Sequence, residues 1–228
     1  MLFRQLFDGE SSTYTYLIAA DVGREAVLID PVKKNVSQYI TLIEQLDLRL
    51  VAAMDTHLHA DHVTALGELR VKSQCETMMG EQSLAQGVSV RFRDNDVLHF
   101  DGLKFTVMYT PGHTDDSYCF LMSDRVFTGD TLFIRGTGRT DFQHGSPDQQ
   151  YDSLFKRLLC LPEKTFVYPG HDYNGMTVST IGEEIKFNPR LQVKSREEYI
   201  ALMNNLNLSK PKMMDVAVPA NMCCGVGT

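Results

Sequence analysis

The sequence predicts a layered α/β protein in which two sheets pack together with helices outside. Short segments rich in β-branched and aromatic residues come in pairs across turn-forming residues. Segments with helical spacing of apolar residues are interspersed among them and follow the last strand. The 228 residues, 43% of them apolar, are enough to bury a full core in one globular domain.

Along the chain, TYTYLIAA and AVLID flank DVGRE and predict a two-strand hairpin. A helix follows over about 36–46, with apolar residues at positions 36, 39, 40, 43 and 46. LVAAMDT reads as a buried strand ending at His57, and the next helix is expected to start near Val63. VLHF and LKFTVMYT flank Asp101 and Gly102, a strong hairpin signal, and SYCFLM and RVFTGD repeat the pattern around Ser123 and Asp124. Pro147 opens a helix capped by Ser146, with Tyr151, Leu154, Phe155, Leu158 and Leu159 on its apolar face. TFVYPG is a further strand that ends just before His171. The final helix is expected after Ser195, which has capping-box spacing to Glu198.

Charge narrows the function classes. With 22 basic against 29 acidic residues and a net charge of -7, the chain lacks the basic footprint that nucleic acid requires, so a small ligand is expected. No run approaches the roughly 18 apolar residues of a membrane span. The start, MLFRQLFDGESS, has no long apolar stretch of the signal-peptide kind. The expectation is a soluble, cytoplasmic protein, with an organelle as the alternative if a transit peptide precedes residue 1. The five cysteines, Cys75, Cys119, Cys160, Cys223 and Cys224, show no CxxC pairing and are expected to be reduced and structural. Cys223 and Cys224 are expected in a solvated, inactive tail.

The strongest chemical signal is HLHADH, where His57, His59, Asp61 and His62 crowd one turn. Imidazole and carboxylate are the ligands that borderline divalent metals prefer, and packing alone has no use for such crowding. A zinc-protease helix is excluded because HExxH needs glutamate where Leu58 stands. His113 in TPGHT, Asp130 in FTGDT and His171 in YPGHD share a local signature: each follows a strand, with glycine just before the ligand. Glycine lets the backbone approach closely, and Pro111 and Pro169 stiffen two of the turns. All seven residues together predict a metal site. His99, inside an alternating strand, and His144, in a loop, are expected to lie outside it.

THLHADH, TPGHT, FTGDT and YPGHD, in this order, resemble the metal motifs of the metallo-β-lactamase superfamily, over about residues 11–175. The resemblance implies an αββα sandwich of two mixed sheets with helices outside, as a single domain over 1–228 with a short helical extension from about 176. Further segments, GDTLFIRGTGRTDFQ, HDYNG, EIKFNPRL and LNLSKPKMMDVAVPANMCCG, resemble persulfide dioxygenases, which oxidise the outer sulfur of glutathione persulfide with O2 and water to sulfite and glutathione.

That likeness implies one Fe(II) per chain, held by His57, His113 and Asp130, the two-histidine, one-carboxylate triad of non-haem oxygen chemistry. His59, Asp61, His62 and His171 would then support those ligands from behind. In the binuclear hydrolases of the superfamily the corresponding residues bind metal, so a glyoxalase II-like hydrolase of glutathione thioesters is the rival reading. Arg139, Tyr173 and Arg190 resemble positions that hold the glutathione moiety, and an arginine fork suits its carboxylates. No nucleic acid or membrane partner is expected, and a homodimer is implied only by the resemblance.

Overall fold

The computed structural model describes residues 1–226. They form two compact units, one made of Met1–Phe92, Val97–Phe105 and the C-terminal residues from Lys210, the other of Arg93–Asp96 and Thr106–Ser209.

The first unit begins with β1 (Leu2–Asp8), β2 (Thr13–Ala19) and β3 (Glu25–Ile29), an antiparallel run. After α1 (Val36–Gln45) come β4 (Arg49–Met54), α2 (Leu66–Ser73), β5 (Glu76–Gly80) and β6 (Val90–Phe92), and from β3 to β6 the pairings are parallel. The result is a mixed six-stranded sheet in the order β1-β2-β3-β4-β5-β6. Central strands β2 and β3 are buried almost throughout, which explains why they read as continuous apolar and aromatic runs. Val36, Tyr39 and Ile43 of α1 recur at helical spacing and pack with Leu17, Leu28 and Leu50. Each such fully buried aliphatic side chain contributes on the order of 1.5–3 kcal/mol.

The second sheet has the order β12-β11-β10-β9-β8-β7. Its strands are β7 (Val97–Phe100), β8 (Leu103–Tyr109), β9 (Tyr118–Leu121), β10 (Arg125–Gly129), β11 (Phe166–Pro169) and β12 (Ser179–Thr180). It too is mixed, because β10 and β11 run parallel while β8-β9, β9-β10 and β11-β12 are antiparallel. Helices α3 (Pro147–Phe155), α4 (Ile181–Phe187) and α5 (Arg196–Asn204) accompany it. Leu154, Val126, Val167, Ile181, Tyr199 and Met203 form their shared core. Ser146 caps α3 by accepting from Gln149 N, and Ser195 caps α5 by accepting from Glu198 N, both as the sequence predicts. Glu198 completes its box one residue early, accepting from Lys194 N.

Several elements differ from expectation, among them α4 and β12, which the sequence does not signal. β1 is absent from the sequence reading, because an edge strand buries only part of its surface and LFRQLFD shows no clean alternation. Ser195 does not open the last helix: α6 (Met214–Asn221) follows it, with Pro219 inside, and such punctuation reads as a breaker from sequence. Finally, α2 starts at Leu66 rather than near Val63, since Thr64 is held in a bridge to Val32 and its amide is bound by Asn221. The tail is also not solvated: Cys224 is fully buried, all five cysteines are free thiols, and burial pushes the Cys224 thiol up to about 11.

Candidate metal centre

Every predicted ligand follows the carboxyl end of a strand. In the first unit, β4 delivers the turn that carries His57, His59, Asp61 and His62, and the three histidines are buried. The rings of His57 and His59 lie 4.3 Å apart between centroids, as do those of His59 and His62. His57 Nδ1 shares a 3.0 Å hydrogen bond with Thr56 Oγ1, which orients the ring's other nitrogen. His59 is held through Nε2 by Asp30 Oδ1 at 3.1 Å, and His62 through Nδ1 by Asp61 Oδ2 at 2.9 Å. Thr13 Oγ1 donates to Asp61 Oδ2 from β2. His62 Nε2 is buried and has no hydrogen-bond partner.

In the second unit, His113 follows β8, Asp130 follows β10 and His171 follows β11. Asp130 Oδ2 lies 3.4 Å from His113 Nε2, and its Oδ1 lies 3.4 Å from His171 Nε2. Oδ1 is buried without a hydrogen bond. These separations exceed a good N–H···O bond, yet they match the roughly 3.0–3.4 Å between neighbouring donors that share one ion at about 2.1 Å. The donor set therefore fits a divalent transition metal. His113 Nδ1 donates to Arg139 O at 2.7 Å, which fixes its tautomer and aims Nε2 at Asp130. His171 stands edge-on to Phe133, with Tyr173 stacked on it at 6.0 Å.

Two of the glycines that precede predicted ligands lie where the backbone approaches its neighbours closely. Gly112 has φ +141°, and a Cβ there would fall 2.4 Å from Gln150 N at the start of α3. At Gly170 it would fall 2.7 Å from Asp130 Oδ1. α3 secures the His113 turn directly: Ser153 Oγ donates to Pro111 O, and buried Gln150 donates to Gly138 O while accepting from Tyr199 OH.

The three residues expected on the substrate side all belong to the second unit. Arg190 is half-buried and donates through Nη1 to Thr137 O and Oγ1; among the described residues no carboxylate pairs with it, and burial lowers its pKa. Arg139 is engaged by its own chain, forking onto Asp141 and donating to Leu208 O and Ser209 O above the Phe142 ring. Tyr173 is exposed. His99 and His144 are exposed.

Two site residues escaped the sequence reading. Asp30 follows β3, is fully buried and accepts from Thr56 N, Thr56 Oγ1 and His59. Burial pushes its carboxyl above the ordinary range, against the opposing charge of His57 and the bonds from Thr56. A carboxylate closing the apolar run AVLI, just before Pro31, was the available signal. The other is Asn221, whose amide binds the backbone of the His59–His62 turn. It sits far along the chain, and nothing in the local pattern marks it.

The family model of the metallo-β-lactamase superfamily matches residues 8–87 and 76–171. The mitochondrial persulfide dioxygenase ETHE1 of Mus musculus is 45% identical over the whole chain, covering 90% of that protein. ETHE1 from Myxococcus xanthus, a crystal structure, aligns with a TM-score of 0.97 at 54% identity, over 99% of this chain and all of that one. A probable hydroxyacylglutathione hydrolase of Schizosaccharomyces pombe is more distant, 31% identical over 91% of this chain and 92% of its own length. Two mixed sheets with accompanying helices are the α/β arrangement that this superfamily shares. The chain therefore belongs to the metallo-β-lactamase superfamily and, within it, to the persulfide dioxygenase family.

Proposed function

We propose that this protein is a persulfide dioxygenase that converts glutathione persulfide, O2 and water to sulfite and glutathione, using one ferrous ion held by His57, His113 and Asp130. Residues 1–228 would form one catalytic domain with a C-terminal extension from about 176. Likeness to named persulfide dioxygenases over the full chain carries the assignment, against weaker likeness to a thioester hydrolase. His113 Nε2, which faces Asp130 Oδ2, supports the ligand set, and His171 faces the other oxygen of that carboxylate.

Bound ferrous iron would supply the electron transfer that lets triplet O2 react with a sulfur nucleophile. The chain's own part is to orient, to shield and to bind. Thr56 and Arg139 O hold the rings of His57 and His113, while Asp30 and Asp61 hold those of His59 and His62. Burial of His57, His59 and His62 keeps bulk water from competing for them. Arg190 offers its remaining N–H groups to a substrate carboxylate. Arg139 joins it by releasing Asp141, whose exposure makes that ion pair a weak competitor. Tyr173 presents an exposed ring beside His171.

None of the described helices is long and apolar enough to cross a membrane. The five free thiols support a reducing compartment, so the cytoplasm is proposed, with an organelle as the alternative. A homodimer is proposed on family likeness alone. Changing His113 or Asp130 to alanine should remove bound iron and oxygen uptake together. Full activity in either variant would overturn the ligand assignment.

A further inference from the structure

We propose that Asn221, at the end of α6, is a positioning residue of the metal centre: its carboxamide fixes the spacing of His59 and His62, so the C-terminal segment is part of the site. The inference rests on the metal reading of that turn. Asn221 is 2% exposed, and each group of its amide is used. Oδ1 accepts from Thr64 N at 2.8 Å, and Nδ2 donates to His59 O at 2.9 Å and to His62 O at 2.8 Å. One planar amide thus spans both ends of the ligand turn from its backbone side, while Asp30 and Asp61 hold the same two imidazoles from the side-chain side.

The segment that bears Asn221 is itself fastened to the first unit. Gly67 N donates to Cys224 O at 2.9 Å, Gln86 N donates to Met222 O at 2.7 Å, and Lys33 Nζ donates to Gly225 O. Gly225 has φ +70°, and a Cβ there would lie 2.0 Å from Thr64 O, so only glycine lets the segment lie this close to the turn. Removing the amide would strand two buried carbonyls and one buried N–H, and the turn would relax to find partners for them. A shift of the turn moves the His59 and His62 rings, which stand 4.3 Å apart.

The discriminating variant is Asn221→Asp, which keeps the size but removes both donors and sets a carboxylate against two carbonyl oxygens. Ferrous iron is added anaerobically to metal-free full-length protein, and its affinity is measured by competition with a chelator. Asn221 acts on the turn that carries His57 through the backbone of His59 and His62, so the proposal predicts affinity weaker by about 10-fold, the low end of the effect of losing a group bonded directly to a ligand, and a lower kcat with KM unchanged. A purely structural role would lower the unfolding temperature of the metal-free protein and leave iron affinity at the parent value, and that result overturns the proposal. Should the variant fail to fold, the parent protein decides through amide exchange at Thr64. That amide should exchange at least about 100-fold more slowly than a free peptide, and more slowly again when iron is bound. Exchange at the free rate overturns the proposal. Parent protein that binds no ferrous iron would instead overturn the metal reading on which it rests.

Discussion

Gly138→Ala should damage the metal centre without replacing a predicted ligand. The added Cβ would lie 2.2 Å from Asp130 O, 2.8 Å from His113 Nδ1 and 3.0 Å from His113 Cγ. An ordinary carbon-to-oxygen contact needs about 3.4 Å, so the loop must retreat by roughly 1 Å. Backbone on one side and a ring on the other leave no flexible side-chain end to yield. Overpacking of this kind costs about 1–3 kcal/mol. The retreat also strains the Gly138 N to Asp130 O bond and the His113 Nδ1 to Arg139 O bond, each worth about 1 kcal/mol. A destabilisation of about 3 kcal/mol would lower Tm by roughly 6–12 °C in a chain of this size. A displacement of 1 Å at reacting groups costs about 100-fold in rate. Thermal unfolding of the metal-free protein and kcat/KM of the loaded protein read the two effects separately. Parent-like values for both would refute the account of how Gly138, His113 and Asp130 are packed.

Arg190→Ala and Arg139→Ala should raise KM for a glutathione-bearing substrate while iron content stays at the parent level; loss of iron in either would reassign that arginine. Glu184 is fully buried and accepts from Arg135, Ser179 and Asn188, so Glu184→Gln should cost about 1–3 kcal/mol in urea unfolding, because an amide cannot accept from all of these donors. An unchanged midpoint would show that these bonds contribute nothing net. At Asp8, burial alone would raise the carboxyl, but bonds from Lys34, Ser11 and Asn35 outweigh it and hold the folded pKa well below the ordinary value. Its stabilisation is therefore fully present above about pH 4, the unfolded value, and is lost as pH falls toward the folded one. Asp8→Asn should lower Tm at pH 7, with the gap to the parent closing on acidification; a gap independent of pH would contradict this.

The residues of the centre were legible because metal chemistry compresses them into dense motifs. HLHADH cannot be explained by packing, and the strand-turn-glycine signature found His113, Asp130 and His171 at the strand ends where they stand. Caps were legible for the same reason, since Ser146 and Ser195 act within three residues of themselves. What stayed hidden acts over long separations. Asn221 reaches back 162 residues to His59, and only the folded chain shows that the segment around Cys224 is packed rather than solvated. Arg139 shows a milder limit: its type suits a substrate carboxylate, but the sequence does not show that Asp141, Leu208 and Ser209 already engage it.

Oxygen uptake with glutathione persulfide, on protein whose metal content has been measured, tests the central claim most directly. The account predicts one iron per chain, one O2 consumed per sulfite formed, and no turnover when oxygen is excluded. Two metal ions per chain, with oxygen-independent hydrolysis of a glutathione thioester, would contradict it.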